Sequence, residues 1–136
     1  KGRLGLVGSV SAFIATPKNG AYTASKYAVR AIGQTLAIEL AGTGVSVTTM
    51  HPGFVVSEIA QVDNEGAHHE GREDRRPKNL MWPTDKAARV MVKALFARKT
   101  ELVFTAHGKL GAALGQHVPG LTIFAQARQR AQRRKR

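Results

Sequence analysis

Tyr22 and Lys26 stand four residues apart, so any helix containing both displays them one turn apart on one face. An ammonium beside a phenol favours the phenolate and lowers a pKa that starts at about 10. A tyrosine tuned toward neutrality can exchange a proton with a substrate hydroxyl or carbonyl, which is general acid–base chemistry. Ser9 lies upstream and offers a hydroxyl able to orient and polarise the same oxygen. Tyr27 is an internal contrast, because Ala31 and not a lysine stands four residues beyond it. Taken singly these signals are weak. A Tyr-x-x-x-Lys pair arises by chance in roughly one chain of this size in four or five, and is then a surface tyrosine beside a solvated lysine.

The elements that must position these residues follow from periodicity. The short apolar run at 4–8 predicts a buried strand, and the Ser, Thr, Pro, Asn and Gly of 10–20 predict a loop. Residues 21–41 predict a helix whose apolar face is Ala24, Ala28, Ile32, Leu36 and Leu40 with Val29 beside them, ended by Gly42 and Gly44 in left-handed conformations. The β-branched stretch 45–50 predicts a second strand, stopped by Pro52-Gly53. Residues 54–80 are polar and too long for a simple connector, as lids and binding loops are. Thr84 reads as the N-cap of a second helix carrying Ala87, Val90, Met91, Ala94 and Leu95. Residues 101–105 predict a third strand, and 108–132 one or two short helices interrupted at Pro119-Gly120. Strands alternating with helices point to an α/β fold with a doubly wound parallel sheet, whose ligands bind beyond the carboxyl ends of the strands. Ser9, Tyr22 and Pro52-Gly53 all fall at those ends.

Composition narrows the function. The 136 residues carry a net charge of +12 and 43% hydrophobic residues, a globular balance that favours acidic partners. Without cysteine there is no disulfide, thiolate metal site or cysteine nucleophile. No apolar run is long enough to span a bilayer. The opening Lys1-Gly2-Arg3 has neither an initiator methionine nor a secretory signal, and reads as the middle of a longer protein. Half of the net charge sits in the tail, on Arg128, Arg130, Arg133, Arg134, Lys135 and Arg136. That tail is read first as a solvated terminus, with anionic lipid and then nucleic acid as alternatives; no nucleic-acid motif accompanies it. His68-His69-Glu70 lacks the convergent scaffold of a metal site, and His51 reads as a packed or solvated histidine.

In combination the motifs are specific. Gly5-Leu6-Val7-Gly8-Ser9-Val10-Ser11-Ala12, Gly20-Ala21-Tyr22-Thr23-Ala24-Ser25-Lys26-Tyr27-Ala28-Val29 and His51-Pro52-Gly53-Phe54-Val55-Val56-Ser57 resemble, in order and spacing, the short-chain dehydrogenase/reductase family. Tyr22 follows Ser9 by the thirteen residues that separate the family's catalytic serine and tyrosine, which favours Ser9 over Ser11. The resemblance implies a Rossmann-like domain, of which residues 1–105 are the catalytic carboxyl-terminal half, with a substrate lid at 58–80 and a helical extension with a basic tail at 106–136. It implies Tyr22 as general acid/base, Lys26 lowering its pKa and holding the nicotinamide ribose, Tyr22 with Lys26 in the cofactor-binding set, and Ser9 holding the substrate oxygen. Pro52, Gly53, Val55 and Ser57 would bracket the carboxamide of NAD or NADP, Ser57 standing where the family usually has threonine. The implied reaction is hydride exchange with a small-molecule alcohol or carbonyl, in a cytoplasmic homo-oligomer packed through the Tyr22 helix, where Ala24, Ala28 and Gly33 would face the partner. The family's glycine-rich dinucleotide fingerprint has no counterpart here, so the chain alone is expected to be inactive. Two rival readings keep the fold without the chemistry: a non-catalytic interaction module, and a basic protein peripheral to a membrane.

Overall fold

A computed structural model describes residues 1–63, 65–71, 74 and 76–134. Three parallel strands, β1 (Gly2–Val7), β2 (Val45–His51) and β3 (Glu101–Val103), form one sheet in the order β1-β2-β3. The register pairs Val7 with Met50 and His51 with Val103, so the carboxyl ends of all three strands lie on one edge. Helix α1 (Gly20–Glu39) connects β1 to β2, α2 (Thr84–Phe96) precedes β3, and α3 (Ala106–His117) and α4 (Pro119–Arg134) follow. Short 3-10 turns occupy Val10–Ala12, Glu58–Gln61 and Lys78–Leu80.

The two long crossover helices cover opposite faces. Successive strand residues point to opposite sides of a sheet. Leu6 lies against Gly33 of α1, while Gly5 lies against Leu95 of α2, which makes three layers. Val47 to His51 of the middle strand are buried accordingly. Gly42 and Gly44 adopt φ of 81° and 83° as the end of α1 requires.

Three expectations need correction. On α1, Ala24, Ala28 and Ile32 of the apolar face are exposed, whereas Thr23 and Gly33 are buried. This helix is apolar on more than one side, and closeness to the sheet decides which side turns inward. A Cβ on Gly33 would collide with the Thr49 side chain, so Gly33 faces the protein's own sheet and not a partner. Thr84 is the first residue of α2 and not its cap; Pro83 precedes it, and the Thr84 hydroxyl donates to the Val56 carbonyl at 2.5 Å. The third strand stops at Val103, because Thr105 turns to cap α3, its Oγ1 accepting from the Gly108 N–H at 3.2 Å. The tail is helical through Arg134 with its arginines exposed, and α4 is tied back by Gln126 Nε2 donating to the Ala15 carbonyl at 2.7 Å. The last two tail positions, Lys135 and Arg136, lie outside the described residues.

Candidate active site at the carboxyl edge of the sheet

β1 ends at Val7, and the chain must leave the sheet without colliding with its neighbour strand. Gly8 permits that, donating its N–H to the Met50 carbonyl at 2.8 Å. Ser9 follows in extended conformation and caps the 3-10 turn, its Oγ accepting from the Ser11 N–H at 3.1 Å. Val10 then donates to the Pro52 carbonyl at 3.0 Å. That one bond joins the loop after β1 to the loop after β2, so the Ser9 and Pro52-Gly53 motifs are neighbours in space.

α1 brings the third motif to the same edge. Lys26 Nζ donates to the Val7 carbonyl at 3.4 Å and lies 5.6 Å from the centroid of the Tyr22 ring. The ammonium therefore sits between the tyrosine and the end of β1, as the four-residue spacing requires. The Tyr22 hydroxyl bonds to no protein group among the described residues. Tyr22 and Tyr27 are equally exposed, at 43%, so Lys26 rather than burial distinguishes them. Ser9, Tyr22 and Lys26 are thus gathered by β1, its exit turn and the first two turns of α1.

The loop after β2 is held by residues that sequence reasoning did not single out. A Cβ on Gly53 would collide with Thr105 and His107, so only glycine lets the chain pass over the β3–α3 junction. The Phe54 N–H donates to His107 Nε2 at 3.1 Å, and the two rings stack with centroids 5.1 Å apart. Val55 forms a parallel bridge with Trp82. Arg76 reaches in from residues 58–80: Nη1 donates to the Val55 carbonyl at 3.1 Å, Nη2 to the Ser57 carbonyl at 3.1 Å, and both lie within 3.5 Å of Ser57 Oγ. Asp74 anchors Arg76 at 2.6 Å, and those hydrogen bonds hold the Asp74 carboxyl down at about 2. With Thr84 on the Val56 carbonyl, three successive carbonyls of 55–57 are engaged from outside the loop. An open cleft of about 580 Å³ lies there, lined by Val56, Ser57, Glu58, Gln61, Asp74 and Thr84. Arg76 and Asp74 were visible in sequence only as members of a mixed charge run.

The other histidines serve the scaffold. His69 Nε2 pairs with Asp63 at 2.6 Å and His68 Nε2 lies 3.1 Å from Gln61 Oε1, across a bridge between Val62 and His68. Among the described residues, no group of three or more His, Asp or Glu converges as a metal site would. No described helix is long and apolar enough to cross a membrane.

His107 gives a pH prediction with a definite sign. Its Nε2 accepts from Phe54, so the ring must be neutral with its proton on Nδ1. Burial lowers its pKa below the ordinary 6.5. The unfolded chain then binds the proton more readily, and stability is expected to fall as pH drops through that window. Denaturant midpoints at about pH 5 and about pH 7.5 should differ less in His107→Gln, whose amide oxygen accepts from Phe54 without titrating. Equal acid sensitivity in variant and wild type would count against the assignment.

Comparison with known proteins gives the family and the fold. The short chain dehydrogenase family model matches residues 1–68, half of the chain. An uncharacterized oxidoreductase of Myxococcus xanthus is 28% identical over 128 residues, covering 94% of this chain and 46% of that protein. A protein of Mycobacterium tuberculosis, described as an uncharacterized NAD-dependent oxidoreductase, is 47% identical over 51 residues, 38% of this chain and 18% of that one. A short-chain dehydrogenase structure from Streptomyces avermitilis shares the fold, with a TM-score of 0.61 at 18% identity over 95% of this chain and 51% of that one. The chain therefore spans about half or less of the length of each.

Proposed function

As this chain belongs to the short chain dehydrogenase family, we propose that it carries the catalytic part of an oxidoreductase that exchanges a hydride between NAD or NADP and an alcohol or carbonyl substrate. One observation carries the proposal: at the carboxyl edge of the sheet Lys26 lies between Tyr22 and the end of β1, where Ser9 follows beside the Pro52–Ser57 loop, and the tyrosine hydroxyl bonds to no protein group among the described residues.

The donor set suits a nicotinamide riboside. Lys26 is a three-donor ammonium with one long bond to Val7, which leaves donors for ribose hydroxyls. The Val55 N–H is left out of the bridge to Trp82, and its carbonyl has a second lone pair beyond the one Arg76 uses, so a carboxamide can be both donated to and accepted from. Pro52 and Gly53 set the course of that segment, and Ser57 closes it. A bound nicotinamide would supply the hydride.

The chain's own residues manage the proton. Tyr22 gives it to the carbonyl oxygen during reduction, or takes it from the alcohol during oxidation. Lys26 holds its ammonium 5.6 Å from the centroid of the Tyr22 ring, beside the group that exchanges the proton. Ser9 donates its hydroxyl hydrogen to the substrate oxygen, while its lone pair stays on the Ser11 N–H. Residues 58–80 act as the lid, with Arg76 and Asp74 fastening it to the cofactor-holding loop. The exposed Ala24, Ala28 and Ile32 side of α1 is where a second copy would pack.

The direct test supplies the enzyme carrying this sequence with NADH or NADPH and a panel of small ketones and aldehydes, and with NAD+ or NADP+ and a panel of small alcohols. Substrate-dependent change in nicotinamide absorbance is expected with one of the two cofactors. Absence of turnover with both, across the panel in both directions, would sink the proposal.

A further inference from the structure

His51 closes β2 with its side chain fully buried, and an oxygen faces each of its ring nitrogens. Nδ1 lies 3.2 Å from the Ser9 carbonyl and Nε2 lies 3.0 Å from Glu101 Oε1. A carbonyl oxygen can only accept, and so can an ionised carboxylate. Glu101 is kept ionised: its partial burial works against the charge, but hydrogen bonds and charge from Arg30, together with His51, outweigh it and leave its pKa below the ordinary value. Arg30 Nε is 2.8 Å from Glu101 Oε1, and Arg30 is itself fixed over the Phe13 ring and by Gln116 at 3.2 Å.

Both contacts are satisfied only by an imidazolium, which has an N–H on each side. A neutral ring must aim one lone pair at an oxygen. The bond to the carboxylate is charge-assisted and retains its proton, so the lone pair falls opposite the Ser9 carbonyl. We propose that His51, oriented by Glu101 and Arg30, is a positioning residue for Ser9: as imidazolium it holds the Ser9 carbonyl through Nδ1–H, and on losing that proton it lets the Ser9 turn shift.

The coupling from carbonyl to hydroxyl is short. The Ser9 carbonyl also accepts from the Ala12 N–H at 2.9 Å, and Ser9 Oγ accepts from Ser11, so both ends of the residue belong to one turn. Gly8 is required by the same arrangement, because a Cβ there would stand 2.6 Å from Nδ1. The charged groups acting on the ring are Glu101 from β3 and Arg30 from α1. From the loop side it meets the Phe13 edge at 4.8 Å and the Ser9 carbonyl. Burial drives the proton off, Glu101 and the Ser9 carbonyl hold it on, and Arg30 opposes it, leaving the pKa below 6.5. The hold on Ser9 is therefore engaged on the acid side and released as pH rises.

The test is a pH titration of the chain, with selectively nitrogen-labelled histidine, followed by NMR. His51 is expected to pass from two ring N–H groups to one as pH rises, and the Ser9, Ser11 and Ala12 amide shifts to follow the same curve. In Glu101→Gln the new amide can donate to Nε2, so a neutral ring keeps Nδ1–H on Ser9. There the His51 proton affinity should fall by about tenfold or more, one pKa unit, and the Ser9 curve should flatten. Amides that stay flat while His51 titrates in wild type, or that move identically in the variant, overturn the proposal. The wild-type titration needs no substitution, so a variant that fails to fold does not protect the idea. In the enzyme, the pH profile of kcat should lose the limb that follows His51 in Glu101→Gln. The consequence for activity rests on the function proposed above, whereas the titration does not: unimpaired turnover in Ser9→Ala would refute the role of Ser9 separately from its coupling to His51.

Discussion

Replacing Tyr22 by Phe is expected to slow hydride transfer in the enzyme carrying this sequence by roughly 10²- to 10⁴-fold, the range for loss of a positioned acid–base group. The substitution removes one oxygen atom. That oxygen bonds to no described protein group and the side chain is 43% exposed, so the folded chain loses nothing comparable. Stability should stay within about 0.5 kcal/mol of wild type, as for a surface change away from caps and cores. Binding of cofactor should also weaken little, because the ring and Lys26 remain. Tyr27→Phe is the matched control: Tyr27 has the same exposure and sits on the same helix, but has Ala31 where a lysine would be needed. Steady-state turnover of both variants, beside their denaturant midpoints, separates chemistry from folding. Equal rates in Tyr22→Phe and wild type would remove Tyr22 from the mechanism.

The second large effect is expected from Gly115→Ala in α3. A Cβ at Gly115 would collide with the carbonyl of Phe13 and reach to within 3.0 Å of Ile14 Cβ. A backbone carbonyl cannot escape by changing rotamer, so α3 or the Phe13 segment must move. Overpacking of this kind costs about 1–3 kcal/mol. The displaced segment matters further, because Phe13 is packed with Ala12 and Ala112, lies under Arg30 and meets the edge of His51. Gly20→Ala is the contrast. Nothing lies within 4 Å of a Cβ there, and alanine is the better helix former by up to about 1 kcal/mol. Urea denaturation of the two variants should move the midpoint in opposite directions. A Gly115→Ala chain as stable as wild type would mean that α3 does not press on Phe13.

Much of the site was legible along the chain because its parts are local. The Tyr22–Lys26 pair is one helical turn, and its geometry follows from spacing alone. Gly42 and Gly44 announce the end of α1, and the β-branched stretch before Pro52 announces β2. The alternation of strands and helices implied a parallel sheet, and a parallel sheet brings the exits of β1 and β2 to one edge. That is why Ser9 and Pro52-Gly53 were expected together, and the Val10–Pro52 hydrogen bond joins them.

What was not legible depends on partners far apart in sequence. Periodicity identified apolar positions on α1 but not which of them turn inward, since Gly33 is chosen by the closeness of Thr49 and Leu6 across the sheet. Arg76 looked like one more charge in a polar run until the fold laid Val55 and Ser57 under its guanidinium. The anchor of the last helix is equally remote, since Gln126 finds the Ala15 carbonyl from 111 residues away.

The sequence by itself determined the fold class, the order of the elements and the residues able to move a proton, since each is set by local spacing, backbone preference and side-chain chemistry. Only the tertiary structure decided which groups hold those residues still. His51 and Glu101 are separated by 50 residues, and Arg30 and Glu101 by 71. Their meeting is fixed by the β2–β3 register and by α1 lying over the strand ends, and no local rule encodes a register.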